Sequence, residues 1–77
     1  MTKNEAEVVF KKHVKPIWGD TRILSIEEKK DRYLFEFAQV DDDFPVDYPI
    51  ISVKKLNGYI EELSFVNPKH RKIIYGK

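Results

Sequence analysis

The chain has 77 residues, which fits one domain, and its 42% hydrophobic and 35% charged residues form a globular mixture that excludes a disordered chain. The absence of cysteine excludes a disulfide scaffold and a cysteine nucleophile, and it favours a reducing, cytoplasmic location. A net charge of +1 favours neither nucleic acid nor an acidic substrate, and without a recognised binding motif nucleic acid is not an expected partner.

Apolar runs are short, as at Pro49-Ile50-Ile51, whereas a membrane-spanning helix needs about 20 apolar residues. Residues 1–5 also lack the basic start and apolar stretch of a signal peptide. We therefore expect a native start and no membrane partner.

The first predicted element is an amphipathic helix over about residues 4–16. Ala6, Phe10 and Val14 recur at helical spacing and share one face, which should pack on the rest of the domain. Trp18 follows this helix, and we expect its large apolar side chain to fold over the edge of the core.

Two capping frames compete at the start of this helix. Asn4 is the preferred N-cap, with Glu7 three residues later, and Thr2 with Glu5 is the alternative capping box. Pro16 lacks an N–H and disfavours helical conformation in the residue before it, so we expect the helix to end or kink there.

Two strands are predicted next, over residues 21–28 and 32–40. In the second strand Tyr33, Phe35 and Phe37 alternate with smaller or polar residues, so the three aromatic rings lie on one face.

A hairpin is predicted from strands over residues 50–56 and 59–66. Asn57-Gly58 between them is typical of a two-residue type I′ turn, which sets Lys54 opposite Glu61 and Val53 opposite Glu62. The helix would cover one face, and the other could meet a partner, a second copy or the C-terminal tail. One face carries Ile50, Leu56, Tyr59, Leu63 and Phe65, and the other carries Ile51, Val53, Ile60 and Val66.

The tail over residues 67–77 allows two structures. Asn67-Pro68 is suited to the start of a short helix, whereas residues 72–75 could add an edge strand. A basic cluster in this tail could hold phosphate, although such clusters are more often solvated chain ends. Its members are Lys69, His70, Arg71, Lys72 and Lys77.

The predicted fold class is therefore α+β: a single domain over residues 1–77 in which an N-terminal amphipathic helix packs on a four-stranded antiparallel β-meander.

The acidic loop over residues 41–49 is the candidate partner-binding site. Its composition fits a solvated loop, and it would also suit docking of a basic protein. The spacing lacks the glycine and terminal glutamate of an EF-hand, so we predict no metal site. The candidate contact residues are Asp41, Asp42, Asp43, Phe44, Asp47 and Tyr48.

Catalysis is not expected from the remaining polar residues. His13 reads as a half-buried helix residue, and Glu36 as a strand residue that faces solvent or pairs with a lysine. No nucleophile elbow, metalloprotease motif or phosphate-binding glycine loop is present, so we predict no catalytic residue and no cofactor.

The run from Tyr48 to Glu62, YPIISVKKLNGYIEE, resembles the closing hairpin of small bacterial NTF2-fold immunity proteins. A helix followed by a curved meander over residues 4–66 is also similar to the cystatin-like and NTF2-like architecture. This resemblance implies a non-catalytic protein that neutralises a partner toxin by binding it. Two alternatives remain: a ligand-binding or enzymatic domain that uses the concave sheet face, and a structural homodimer subunit that associates through a sheet face.

Overall fold

A computed structural model describes residues 1–76. Its strands form one antiparallel sheet in the order β1-β2-β3-β4. The predicted α+β class, with an N-terminal helix before a four-stranded meander, is confirmed, and a short C-terminal helix is added. The elements are α1 (Lys3–Trp18), β1 (Thr21–Glu28), β2 (Arg32–Gln39), β3 (Ile50–Lys54), β4 (Ile60–Leu63) and α2 (Pro68–Tyr75).

The start of α1 is capped by Thr2. The backbone N–H of Glu5 donates to the Thr2 hydroxyl at 3.2 Å, and the Thr2 N–H donates to the Glu5 carboxylate at 2.9 Å. This reciprocal pair satisfies two N–H groups that the first turn leaves free. The preferred prediction of Asn4 as N-cap is therefore wrong, and the competing frame is confirmed.

The end of α1 lies two residues beyond Pro16, so the prediction of an end there is wrong. The helix closes when the Gly19 N–H donates to the Lys15 carbonyl at 3.0 Å, with Gly19 at a φ of 73°. The last turn also places the Trp18 ring against Phe37. Because this tertiary packing outweighs the low helix propensity of proline, the helix continues past Pro16.

The main core lies between α1 and one face of the sheet. The Phe10 ring stacks on Phe35 with centroids 4.7 Å apart and meets Phe37 edge-on at 5.4 Å, and all three side chains are buried. Trp18 packs against Phe37 at 5.7 Å, which confirms that it covers the edge of the core. Each buried ring removes on the order of 150–250 Å² from water, so this cluster dominates the packing.

A β-bulge in β1 changes which of its residues face the core. The register shifts between Ile23, opposite Phe37, and Ser25, opposite Glu36. Because of the extra residue, Ile23 and Ile26 both pack on the α1 side although they are three positions apart. Leu24 is left on the other face.

Part of the second face of the sheet is covered by α2. The Asn67 side chain caps this helix by accepting a hydrogen bond from the Lys69 N–H at 2.9 Å, and Pro68 occupies its first turn. Ile74 of α2 is buried in a smaller apolar cluster with Leu34, Ile50 and Leu63. The tail is thus a helix, and the alternative of an edge strand over residues 72–75 is wrong. Lys77 lies outside the described residues.

The closing hairpin has a different turn from the one predicted. The strands pair Val53 with Ile60 and Ile51 with Glu62, so the register is offset by two residues, and the five residues 55–59 connect the strands. A type I′ turn needs positive φ at both central residues, but only Gly58 has it, at 71°. The Asn57 side chain instead accepts a hydrogen bond from the Tyr59 N–H at 2.9 Å.

An offset of two residues leaves each strand residue on its predicted face. Ile51, Val53 and Ile60 pack on the α1 side, and Ile50 and Leu63 pack on the α2 side. The strands are shorter than predicted at the loop and at the C-terminal end. Leu56, Tyr59, Phe65 and Val66 consequently lie outside the strands and are exposed.

Candidate partner-binding site

The loop between β2 and β3 is held in shape by Asp42. Its carboxylate accepts hydrogen bonds from the Phe44 N–H at 3.0 Å and from the Tyr48 hydroxyl at 2.6 Å. The Arg22 guanidinium donates to the Asp42 carbonyl at 2.7 Å. An aspartate that accepts a bond from the backbone two residues later is a common loop-forming arrangement. Asp42 is therefore held through both its side chain and its backbone carbonyl, and it fixes the loop around it.

Tyr48 anchors the same loop to the core. Its half-buried ring lies 5.1 Å from the Trp18 ring and 5.3 Å from the Phe37 ring, measured between centroids. Its hydroxyl accepts a hydrogen bond from the Gln39 N–H at 3.2 Å. The hydrogen bond to the Asp42 carboxylate raises the pKa of the Tyr48 phenol, because loss of the phenol proton would place two negative charges together.

Four of the six predicted contact residues are exposed on this loop. Phe44 is 86% exposed, and Asp41, Asp43 and Asp47 surround it in the sequence with exposed side chains. Val46, not predicted as a contact, is 73% exposed. The other two predicted residues, Asp42 and Tyr48, lie in the loop's internal hydrogen-bond network. The structure thus separates anchoring residues from residues available for contact.

The exposed aspartates have no cationic partner in the described part of the chain. Across residues 1–76, no lysine or arginine nitrogen lies within 4.0 Å of the carboxylates of Asp41, Asp43 or Asp47. Asp47 also has a φ of 64°, a conformation that aspartate tolerates better than most residues. The loop therefore presents apolar side chains among carboxylates that form no ion pair within residues 1–76.

Beside this loop lies a groove that the sequence did not predict. Strand residues Leu24, Glu36 and Ile50 line it from the sheet, Val46 and Asp47 line it from the loop, and Phe65 completes it. Leu24 lies on this face because it follows core-facing Ile23, and the bulge keeps Ile26 on the α1 face. Glu36 faces solvent here, which is one of the two environments predicted for it. It has no lysine partner among the described residues.

The histidines make local contacts. His13 is half-buried on α1 as predicted, with its Nε2 atom 3.6 Å from the Glu62 carboxylate. His70 Nδ1 accepts a hydrogen bond from the Ser64 N–H at 2.9 Å, which ties α2 to the end of β4. Within residues 1–76 no three or more side chains of the metal-ligating types gather into a group.

The predicted basic cluster lies largely on α2. Lys69, Arg71 and Lys72 are exposed on this helix. The His70 Nδ1 atom instead accepts the hydrogen bond from the Ser64 N–H. The end of the tail is held by Lys29, whose ammonium group donates to the Gly76 carbonyl at 2.7 Å.

Comparison with protein-family models, curated proteins and solved structures gives no match for this chain. Neither of the two helices described has the length and apolar character to cross a membrane.

Proposed function

We propose that this chain is a non-catalytic protein-binding module that acts in the cytoplasm, and that its partner is a basic protein. The single observation that carries the proposal is the loop over residues 41–47, where exposed Phe44 and Val46 lie among exposed carboxylates. Protein interfaces are enriched in aromatic side chains at their centre and in polar groups at their rim.

The anchoring of the loop supports this proposal. Asp42, Tyr48 and Arg22 hold the loop through hydrogen bonds that are independent of any partner. Because binding a flexible loop costs side-chain and backbone entropy, a loop that is already ordered loses less free energy on association. The unneutralised carboxylates would attract a basic partner and increase the rate of encounter.

An immunity-type role is the most concrete form of this function. In that role the loop would cover a basic surface of a toxin, and the chain would inhibit by occlusion without chemistry of its own. The resemblance of the hairpin to NTF2-fold immunity proteins suggested this role, and the acidic loop supplies a surface suited to it.

An affinity capture with matched variants tests the proposal. The full chain, Phe44→Ser and Leu56→Ser would each be immobilised and exposed to extract of the cells that produce the protein. Leu56 is the control because it is 94% exposed on the other loop, so its replacement removes similar apolar surface elsewhere. We expect one basic protein to bind the full chain and Leu56→Ser, with at least about tenfold weaker binding to Phe44→Ser.

A charge variant and the capture pattern of the matched variants test the proposal further. Replacing Asp43 and Asp47 together by asparagine should slow association and reduce its salt dependence, because these charges steer the encounter. Equal capture by the full chain and Phe44→Ser, or loss of capture with Leu56→Ser alone, would contradict the proposal. For the immunity-type role, the captured protein must be toxic when produced alone and harmless when produced with this chain.

A further inference from the structure

The groove beside the acidic loop combines apolar walls with unneutralised carboxylates. Leu24, Ile50, Val46 and Phe65 supply the apolar surface, and Glu36 stands among the strand residues that line the groove. Its volume is about 190 Å³. Since one water occupies about 30 Å³ of liquid, the groove holds several waters, a volume that one long side chain can fill.

The charge of the groove is negative. Glu36 and Asp47 both line it, and among residues 1–76 neither carboxylate has a lysine or arginine nitrogen within 4.0 Å. The Arg22 guanidinium, which donates to the Asp42 carbonyl, keeps its positive charge but does not line the groove. A purely apolar occupant would remove water from Glu36 without replacing its hydrogen bonds, and an acidic occupant would be repelled.

We infer that this groove binds a lysine or arginine side chain of the partner protein, an inference that rests on the proposed protein-binding function. The methylene stem of such a side chain packs on Leu24, Ile50 and Phe65, while its cation reaches Glu36 and Asp47. Long basic side chains commonly bury their stems in this way with the charged group at a polar edge. The groove therefore selects partners that carry a basic side chain at this position, whereas the loop attracts the partner during encounter and supplies contact area.

A partner protein fits this groove better than a second copy of the chain does. The groove adjoins the acidic loop through Val46 and Asp47, so one basic partner can contact both, whereas a second copy carries a net charge of only +1. The basic residues of α2, such as Lys69 and Arg71, nevertheless make a second copy an outcome that the test must distinguish.

The test is an NMR titration of the full ¹⁵N-labelled chain with three blocked pentapeptides. Their sequence is acetyl-Ala-Leu-X-Leu-Ala-amide, where X is lysine, glutamine or glutamate. We expect the lysine peptide to shift the amide signals of Leu24, Glu36 and Phe65, and to bind about tenfold more tightly than the glutamine peptide. The glutamate peptide should bind more weakly still.

Two variants complete the design. Glu36→Gln keeps the size of an exposed side chain, so it should fold and lose about tenfold in affinity for the lysine peptide. Glu7→Gln on α1 is the same chemical change on the opposite side of the sheet, and it should leave that affinity unchanged. Equal binding of the lysine and glutamine peptides, an unchanged Glu36→Gln variant, or no shifts up to about 10 mM lysine peptide would overturn the inference.

Failure of this inference is distinguishable from failure of the proposed function. If Phe44→Ser loses the captured protein but Glu36→Gln retains the lysine preference, the groove inference fails and the function stands. If the full chain is a dimer that Glu36→Gln dissociates, the occupant is a second copy, which also overturns the inference.

Discussion

Asp42 and Asp43 are neighbours in the sequence, but their side chains have different surroundings. The Asp42 carboxylate accepts two hydrogen bonds inside the loop, whereas the Asp43 side chain is exposed. Three successive aspartates give no local signal of which one turns inward, because that choice depends on the position of Tyr48. The sequence therefore indicated the acidic surface but assigned the same role to anchoring and exposed residues.

At this scale the Asp42–Tyr48 pair yields the first prediction, that Asp42→Asn lowers the pKa of the Tyr48 phenol. The amide removes the negative charge that disfavours the tyrosinate. An ultraviolet absorbance titration measures this pKa, with Tyr48→Phe used to identify the Tyr48 contribution and Asp43→Asn as the matched control. If Asp42→Asn and Asp43→Asn leave the Tyr48 titration equally unchanged, the hydrogen bond does not set the pKa.

The sign of the linked stability follows from the direction of this shift. The pKa of Tyr48 is raised in the folded state above its ordinary value of about 10. The stabilisation from this pair is therefore fully present below pH 10 or so and is lost as the pH rises through the raised pKa. The difference in urea midpoint between the full chain and Tyr48→Phe should shrink over that range.

At the scale of elements, periodicity predicted more than turn chemistry did. The alternation of Tyr33, Phe35 and Phe37 placed the aromatic face of β2 correctly, since burial of one face enforces the period of two. The Asn57-Gly58 turn was predicted from a local preference, and the observed five-residue connection offsets the register. The groove was not predictable because the loop residue Val46 and the distant Phe65 meet the strands there only through the tertiary fold.

The start of α1 gives a prediction that separates its two capping frames. Thr2→Ala removes the acceptor for the Glu5 N–H and should lower the free energy of unfolding by about 1 kcal/mol. Asn4→Ala should change it by less than about 0.5 kcal/mol, because Asn4 lies inside the helix and alanine favours helix. Urea unfolding followed by circular dichroism measures both values. A larger loss for Asn4→Ala than for Thr2→Ala would show that the helix begins in the other frame.

At the scale of the whole molecule, both sheet faces carry helices. α1 covers one face, and α2 covers part of the other through Ile74. Ile51 and Val53 belong to the α1 core with no exposed surface, so they are not available for association through a sheet face. What α2 leaves open is the groove that contains Glu36, which concentrates the accessible apolar surface of the sheet beside the acidic loop.

Stability of the whole domain should fall in acid because three carboxyl groups are stabilised in their charged form. The Thr2 N–H lowers the pKa of Glu5, the Lys15 ammonium lowers that of Asp20, and the Arg32 guanidinium lowers that of Asp31. A group whose pKa is lowered on folding contributes stability above its unfolded value of about 4, and that stability is lost as the pH falls through the folded pKa.

The last prediction is therefore a urea midpoint that stays level from about pH 7 to 5 and falls below about pH 4. The decrease should be modest, since solvent screens ion pairs between exposed side chains and makes each of them weak. Glu5→Gln combined with Asp20→Asn and Asp31→Asn should flatten the acid limb, and Lys15→Gln should reproduce the Asp20→Asn effect without adding to it. An acid limb of the same steepness in the triple variant would assign the loss of stability to other carboxyl groups.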